Sequence, residues 1–524
     1  MGKFATSART AQTIPPSLQL NHSPRKSEEA TALVEALAST NSQFAALVKQ
    51  GVSPADALAR FGGQLFAAKR FAEAATMFQS ASALAPIDPL LWINAGTALD
   101  CAGSFAEAAA CLERSLELAN NQADTWLLLG LVRKKMGDLD GGEKAYRSAI
   151  EREPQSAVAW QCLGLLKDEQ RDYTTAIECL TTALKMGASD PAVLANLGKL
   201  YYQVGRIPEA SEIYERAVTL DSSNAIYREM SRKSNFVCEV LRGNSLEDAL
   251  ESYKKSFPAN AVSTDGDEMK LLREVFGQLS GFGHLEAAKR VGDKLLELQP
   301  GNAVMNYLMR AVAGEPSVKQ SPDEYVVEYF DSFANGFDAK LVSVLRYEVP
   351  AKICAAVQRA VQPDQKYHVV DAGCGTGLCG PLLRPFAASL VGVDLSPKML
   401  EEARKRGVYD ELVREELTGF LDRSFEQFDL VVAADVVVYI GDLTSLFAAA
   451  AKSIRAGGLF AFSTELWSGG QYFLQPSGRF AHSPSYVRAV AERAFSEQDC
   501  IETMIRLEAN APAYGNLFVF RRRS

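Results

Sequence analysis

The segment Asp371-Ala372-Gly373-Cys374-Gly375-Thr376-Gly377-Leu378-Cys379-Gly380 sets an acid and four glycines directly after an apolar run, Tyr367-His368-Val369-Val370. Glycine at this density lets backbone turn sharply and lie against a ligand with no Cβ in the way. A second apolar run, Leu390-Val391-Gly392-Val393, ends in Asp394, whose carboxylate can accept both hydroxyls of a ribose. Strand, glycine-rich turn, helix, strand and terminal acid together predict a nucleotide-binding βαβ unit.

Two cofactors compete for such a unit. Gly375 to Gly380 matches GxGxxG, and Asp394 follows at the distance a dinucleotide fingerprint requires. Asp371 and Gly373 precede it, however, which makes the longer form D-x-G-x-G-x-G of S-adenosylmethionine sites. Asp371 would repel a pyrophosphate in this turn, whereas S-adenosylmethionine has no phosphate and brings an amine and a sulfonium. The expected cofactor is therefore S-adenosylmethionine, with Asp371, Gly373, Gly375, Gly377 and Asp394 as contacts. Leu395 and Leu417 are expected either to sandwich the adenine or to be plain core. Met399, one helical turn past Asp394, borders the adenine or packs inside. Glu416 follows a predicted third strand, 408–412, where an acid would meet the adenine amino group. Asp435 ends a predicted fourth strand, 428–435, on the same side.

Methyl transfer from a sulfonium is an in-line displacement, helped mainly by alignment and exclusion of water. A carboxylate nucleophile needs no general base; a hydroxyl, amine or carbon acid does. Tyr439 and His482 are the candidates for that role, although a lone histidine is more often a satisfied surface or core residue, and Arg479 is a candidate anchor for an acidic acceptor. Tyr329, Phe333 and Phe337 form either an aromatic lid over the methyl donor or a seam between domains. Cys374 and Cys379 have no basic neighbour in sequence reach and read as small buried residues.

The elements that must position these residues are legible around them. Leu443 to Arg455 has helical periodicity and stops at Gly457-Gly458, 459–463 reads as a fifth strand, and 500–507 with 517–521 as an antiparallel ending. That order predicts a mostly parallel, Rossmann-like seven-stranded α/β sheet with one reversed strand. The first half is periodic in another way. Leu58, Trp92, Trp126, Trp160 and Leu194 are spaced by 34 residues, and Gly62, Gly96, Gly130, Gly164 and Gly198 keep the same register. So do Phe78, Leu112, Tyr146, Leu180 and Tyr214. Small residues at fixed sites let paired helices approach, and the large ones fill the gap. This resembles the tetratricopeptide repeat, a helix, a turn and a second helix that must stack to bury its open face. Ser53-Pro54 fits an N-cap and a first-turn proline. The groove of such a stack is a site for a protein or peptide partner, presenting Leu127, Leu131, Leu165, Lys134 and Lys135, unless the leucines only pack between helices.

Taken together, residues 321–524 resemble the bacterial class I methyltransferases that carry tetratricopeptide repeats ahead of the catalytic domain. Tyr329 to Asp338 with Leu341-Val342 is similar to their lead-in helices, Asp435 to Leu443 to their fourth-strand motif, and Arg479 to Ser483 to a segment before their last helix. Glu416 departs from the shorter Asp usual there. The resemblance implies an S-adenosylmethionine-dependent methyl transfer and leaves the acceptor open. Three readings follow: an enzyme acting on a small-molecule or carrier-bound acceptor with the repeats as scaffold, a protein methyltransferase whose repeats select the polypeptide, or a non-catalytic interaction protein that keeps the cofactor. The expected division is a disordered tail at 1–26, a helical lead-in and five repeats at 27–224, degenerate repeat-like helices at 225–315, a linker and lead-in helices at 316–360, and the methyltransferase domain at 361–524.

Composition narrows the alternatives. The 524 residues are 47% hydrophobic and 23% charged, as in soluble globular chains. With 55 basic against 64 acidic residues and no basic stripe, nucleic acid is not expected as a partner. No apolar run approaches the ~18 residues of a membrane span, and the N-terminus has no signal-peptide core. Nine scattered cysteines without a CxxC pair, and only four histidines, give no metal site and fit reduced thiols in a cytoplasm.

Overall fold

The computed structural model describes residues 24–257, 265–332, 334, 338, 347–362, 364–508 and 511–524. Phe333 and Phe337 lie outside them. The chain divides into two compact units, residues 1–234 and 235–524.

The first unit opens with the helices Pro24–Thr40 and Ser42–Lys49 and continues as helix pairs: Pro54–Ala67 with Phe71–Leu84, Pro89–Ala102 with Phe105–Leu118, Ala123–Lys135 with Leu139–Arg152, Ala157–Glu169 with Tyr173–Lys185, and Pro191–Gln203 with Ile207–Leu220. Ser53 caps the first of them, its hydroxyl accepting from the Asp56 amide. The 34-residue register has a direct steric cause. A Cβ added to Gly62, Gly96, Gly130, Gly164 or Gly198 would stand 3.1, 2.8, 2.5, 2.8 or 3.0 Å from the side chain of Phe78, Leu112, Tyr146, Leu180 or Tyr214 respectively. Each glycine is thus the socket for the large residue sixteen positions later. The tryptophans tie the turns between units: Trp92, Trp126 and Trp160 donate their indole N–H to the carbonyls of Pro86, Asn120 and Pro154, at 3.0, 3.1 and 2.9 Å. Lys135 pairs with Asp100 (2.7 Å), Lys134 with Glu169 (3.0 Å) and Lys199 with Asp168 (2.8 Å), so both lysines expected to face the groove bridge neighbouring units.

The second unit begins with further helices, including Leu246–Lys255, Asp265–Gly281, Leu285–Leu298, Ala303–Val312 and Asp323–Asp331. Its sheet follows, with strands β1 (Tyr367–Ala372), β2 (Ala387–Asp394), β3 (Glu411–Arg414), β4 (Phe428–Ala433), β5 (Ile454–Leu466), β6 (Tyr472–Leu474), β7 (Phe480–His482), β8 (Phe495–Glu508) and β9 (Ala511–Arg522). β3-β2-β1-β4-β5 run parallel, β9 joins β5 antiparallel, and β8 pairs β9. These seven strands are the expected Rossmann-like sheet with its reversed strand. Two short strands are additional: β6 and β7 form a hairpin whose second strand pairs with the end of β5. The third strand starts three residues later than its sequence suggests, because Tyr409 turns inward and Asp410 is engaged with Leu390 of β2.

Alternation along the strands divides the core in two. Val369, Leu430, Val432, Leu459, Ala461 and Val519 face the helix Val349–Ala360 on one side. Val370, Val431, Phe460, Phe462, Phe518 and Phe520 face the other, where helices Leu417–Arg423, Thr444–Ser453 and Pro484–Ala491 cover them.

Candidate active site

A cavity of about 370 Å³ opens at the carboxyl ends of β1, β2 and β4, the place where open α/β sheets bind ligands. Of the residues singled out from sequence, Asp371, Gly373, Gly375, Asp394, Leu395, Glu416, Leu417, Asp435, Tyr439, Tyr329 and Arg479 line it. Gly377, Met399 and His482 are not among its lining residues.

The glycine turn explains itself residue by residue. Gly373, Gly375 and Gly377 all have left-handed backbone, with φ of +66°, +54° and +86°. A Cβ at Gly373 would strike Val436 at 2.2 Å, and one at Gly377 would meet Arg406 and Tyr409 at 3.0 Å. At Gly375 nothing of the protein lies within 4 Å, so this face of the backbone is open to the cavity. Gly377 therefore makes room for a side chain. Gly380 and Gly392 do the same for Tyr409, at 2.8 and 3.0 Å. Caged by these glycines, Tyr409 donates its hydroxyl to Asp371 at 2.6 Å.

Asp394 holds the turn from the next strand. One carboxylate oxygen accepts from the Gly375 amide and the other from the Ser396 amide, both at 2.8 Å. Each oxygen keeps a further lone pair for a ligand. Burial raises the Asp394 carboxyl, opposed by these backbone bonds. Burial also pushes Asp371 up to about 7, opposed by the Tyr409 hydroxyl and reinforced by Asp394. Glu416 caps the helix Leu417–Arg423, accepting from the Gly419 amide at 2.8 Å, which turns its carboxylate toward its own helix. Met399 is fully buried and does not reach the cavity wall.

The part of the wall supplied by Asp435, Arg479 and Arg506 is of different character. Asp435 sits at φ +60°, a strained conformation for a non-glycine residue. Its amide donates to Ser463 at 2.7 Å, and Arg506 approaches its carboxylate at 3.4 Å. Arg506 and Arg479 converge on one oxygen of the buried Glu465, Arg479 at 2.9 Å. Burial alone would raise the Glu465 carboxyl, but the two guanidiniums hold it below its ordinary value. Arg506 lines the cavity beside Arg479 and was not foreseen. The signal available was Glu465, an acid inside the apolar run of β5, which must find a cation when buried.

Tyr439 lies against the ring of Phe330, edge to face at 5.6 Å. Burial raises its phenol well above the ordinary value, so it keeps its proton and can donate a hydrogen bond but is poorly suited to be a base. His482 is a brace: its Nε2 bonds the carbonyls of Ile440 (2.8 Å) and Gly441 (3.2 Å), and burial lowers its pKa to about 4.

Among the described residues the cavity wall carries six carboxylates, Asp323, Asp371, Asp394, Glu415, Glu416 and Asp435, against two guanidiniums, Arg479 and Arg506. The glycine-turn side has acids alone.

Both halves of the chain resemble known proteins in sequence. Residues 370–462 match the family model of a methyltransferase domain, and residues 123–156 and 162–225 match tetratricopeptide repeat models. A ubiquinone biosynthesis O-methyltransferase of Bartonella quintana (strain Toulouse) is 32% identical over 120 residues, 22% of this chain and 48% of that protein. Aklanonic acid methyltransferase DauC of Streptomyces sp. (strain C5) is 33% identical over 129 residues, 22% of this chain and 56% of that one. The chain thus spans about half the length of these curated relatives. The solved N-methyltransferase NodS from Bradyrhizobium japonicum WM9, in complex with S-adenosyl-l-homocysteine, aligns over 38% of this chain and 99% of its own, at 16% identity and a TM-score of 0.32. The chain carries tetratricopeptide repeats followed by a methyltransferase domain.

Proposed function

We propose that the chain is an S-adenosylmethionine-dependent methyltransferase acting on a small-molecule or carrier-bound acceptor, with its repeats as a scaffold for a protein or peptide partner. The observation that carries this reading is the acidic wall beside the open face of Gly375. It suits a cationic cofactor and opposes a pyrophosphate. When bound, the cofactor supplies an activated methyl group on a sulfonium. Asp394 offers its remaining lone pairs to the ribose, Leu395 and Leu417 flank the adenine, and Asp371 and Asp435 face the cationic portion. Tyr329 and Phe330, on the same cavity wall, exclude water. Tyr439 donates a hydrogen bond and thereby orients an acceptor oxygen, while Arg479 and Arg506 face its acidic group. The ubiquinone biosynthesis O-methyltransferase among the relatives acts at oxygen by name, and oxygen is the acceptor atom proposed here.

The test is incubation of the full chain with radiolabelled methyl donor and host lysate, separated afterwards into protein and small-molecule pools. Label in the small-molecule pool is expected. Label confined to protein would instead make the repeats a selector of polypeptide substrates, and no label in either pool would leave a cofactor-binding interaction protein.

A further inference from the structure

One turn of the methyltransferase unit is gripped by hydroxyls from three helices that precede the sheet. β6 and β7 are joined through residues 475–479, closed by the Gln475 amide to the Arg479 carbonyl (2.8 Å) and the Gly478 amide to the Gln475 carbonyl (2.9 Å). The three carbonyls inside this turn are each taken. Pro476 accepts from Ser280 of helix Asp265–Gly281 at 2.9 Å, Ser477 from Tyr325 of helix Asp323–Asp331 at 3.3 Å, and Gly478 from Tyr307 of helix Ala303–Val312 at 2.7 Å. The single proton of the Tyr307 hydroxyl goes to Gly478, so its oxygen accepts from the Ser321 hydroxyl, also at 2.7 Å. The fit is close: Gly478 has φ +79°, and a Cβ there would stand 2.6 Å from the Tyr325 hydroxyl and 3.2 Å from Leu308. Beneath the bonds, Tyr307, Val318, Tyr325, Leu474 and Phe480 share one apolar cluster.

Both ends of this arrangement reach the cavity. Ser321 lines it directly, and so does Arg479, the residue that follows the gripped carbonyls. Gln475, at the other end of the turn, donates to the same Glu465 that receives Arg479. The Tyr307 hydroxyl is itself buried, with its pKa pushed up to about 12 by burial, and lies outside the cavity wall. One hydroxyl therefore fixes Ser321 on the wall and the turn that ends in the wall residue Arg479 relative to each other.

We propose that Tyr307 is a positioning residue for the acceptor end of the cavity: through Gly478 and Ser321 it sets where Arg479 presents its guanidinium. Helices 265–312, repeat-like in sequence, then serve as part of the transferase. The proposal rests on the reading that the arginine end receives the acceptor.

The experiment compares the full chain with its Tyr307→Phe, Ser280→Ala and doubly substituted variants. Binding of S-adenosylhomocysteine is measured by calorimetry, and methyl transfer from labelled donor is followed over a dilution series of host lysate. Loss of the hydroxyl is expected to leave S-adenosylhomocysteine binding and the maximal rate unchanged, while the half-saturating lysate concentration rises about fivefold, the worth of one hydrogen bond. The more peripheral Ser280→Ala should shift it in the same direction by less, which keeps the test valid where Tyr307→Phe folds poorly. Unchanged half-saturation in all variants overturns the proposal, as does a parallel fall in cofactor-product binding and maximal rate. A wild-type chain that binds the product but labels nothing removes the acceptor site and the proposal with it. A wild-type chain that binds no product sinks the underlying cofactor reading instead.

Discussion

Burial and the neighbouring Asp394 push the Asp371 carboxyl up to about 7, although Tyr409 donates a hydrogen bond to it. A cation entering the cavity favours the ionised form, so binding of the proposed cofactor must release a proton from whatever fraction of Asp371 is protonated. Affinity for S-adenosylmethionine should accordingly fall as pH is lowered from 8 to 6, approaching about tenfold per pH unit below the resting pKa. Asp371→Asn should bind more weakly at pH 8 and lose that slope, which calorimetry at three pH values would read. A second residue-scale expectation concerns Glu465, which two guanidiniums share. Glu465→Gln leaves them without their buried counter-ion and should destabilise the second unit by about 3–5 kcal/mol in denaturant unfolding. Asp371, Asp394 and the glycines were legible in sequence because their chemistry is local to one turn. Arg506 was not, because the partner that explains it, Glu465, lies 41 residues away on β5 and meets it only with β9 between the two strands.

The helical repeats were readable for a related reason: each glycine and the large side chain it receives lie sixteen residues apart within one helix pair, and the pair recurs every 34 residues. Gly130→Ala tests that account at the scale of the element. Its methyl group would stand 2.5 Å from the Tyr146 ring, and overpacking of this kind should cost about 1–3 kcal/mol in the stability of the first unit. Gly63→Ala, on the same kind of helix but with nothing within 4 Å, should be neutral or stabilising. The β6–β7 hairpin shows where local reading fails. Its strands are three residues long, too short for an alternation signal, and they are held by non-local partners such as Tyr307 and the end of β5. His482 stays open in the sequence for a like reason. A lone histidine in sequence carries no sign of whether its ring faces a cavity or, as here, two backbone carbonyls.

At the scale of the molecule, the boundary between compact units falls after Ser234, whereas glycine and proline punctuation draws attention to 314–322. Part of that stretch is wall, since Gln320 and Ser321 line the cavity, and it is tied down: the amides of Gly441 and Asp442 donate to the Lys319 carbonyl, and the amide of Ser321 donates to that of Tyr439. A fragment beginning at Ala225, the start of the helix Ala225–Arg242, should therefore fold and bind S-adenosylhomocysteine as the full chain does. One beginning at residue 316 loses Ser280 and Tyr307 and uncovers Val318, Tyr325 and Leu474. Its melting temperature should be lower, measured by thermal unfolding of the two fragments side by side. The net charge of −9 also gains a location, since residues 401–450 hold eleven acids against five bases, and Glu415, Glu416 and Asp435 of that stretch stand on the cavity wall. The central claim is that this wall, anchored by Asp394, is a site for S-adenosylmethionine. Calorimetric titration of the full chain with S-adenosylhomocysteine tests it most directly. The account predicts saturable binding that Asp394→Ala abolishes; no heat at high ligand concentration, or an Asp394→Ala variant that binds as the native chain does, would contradict it.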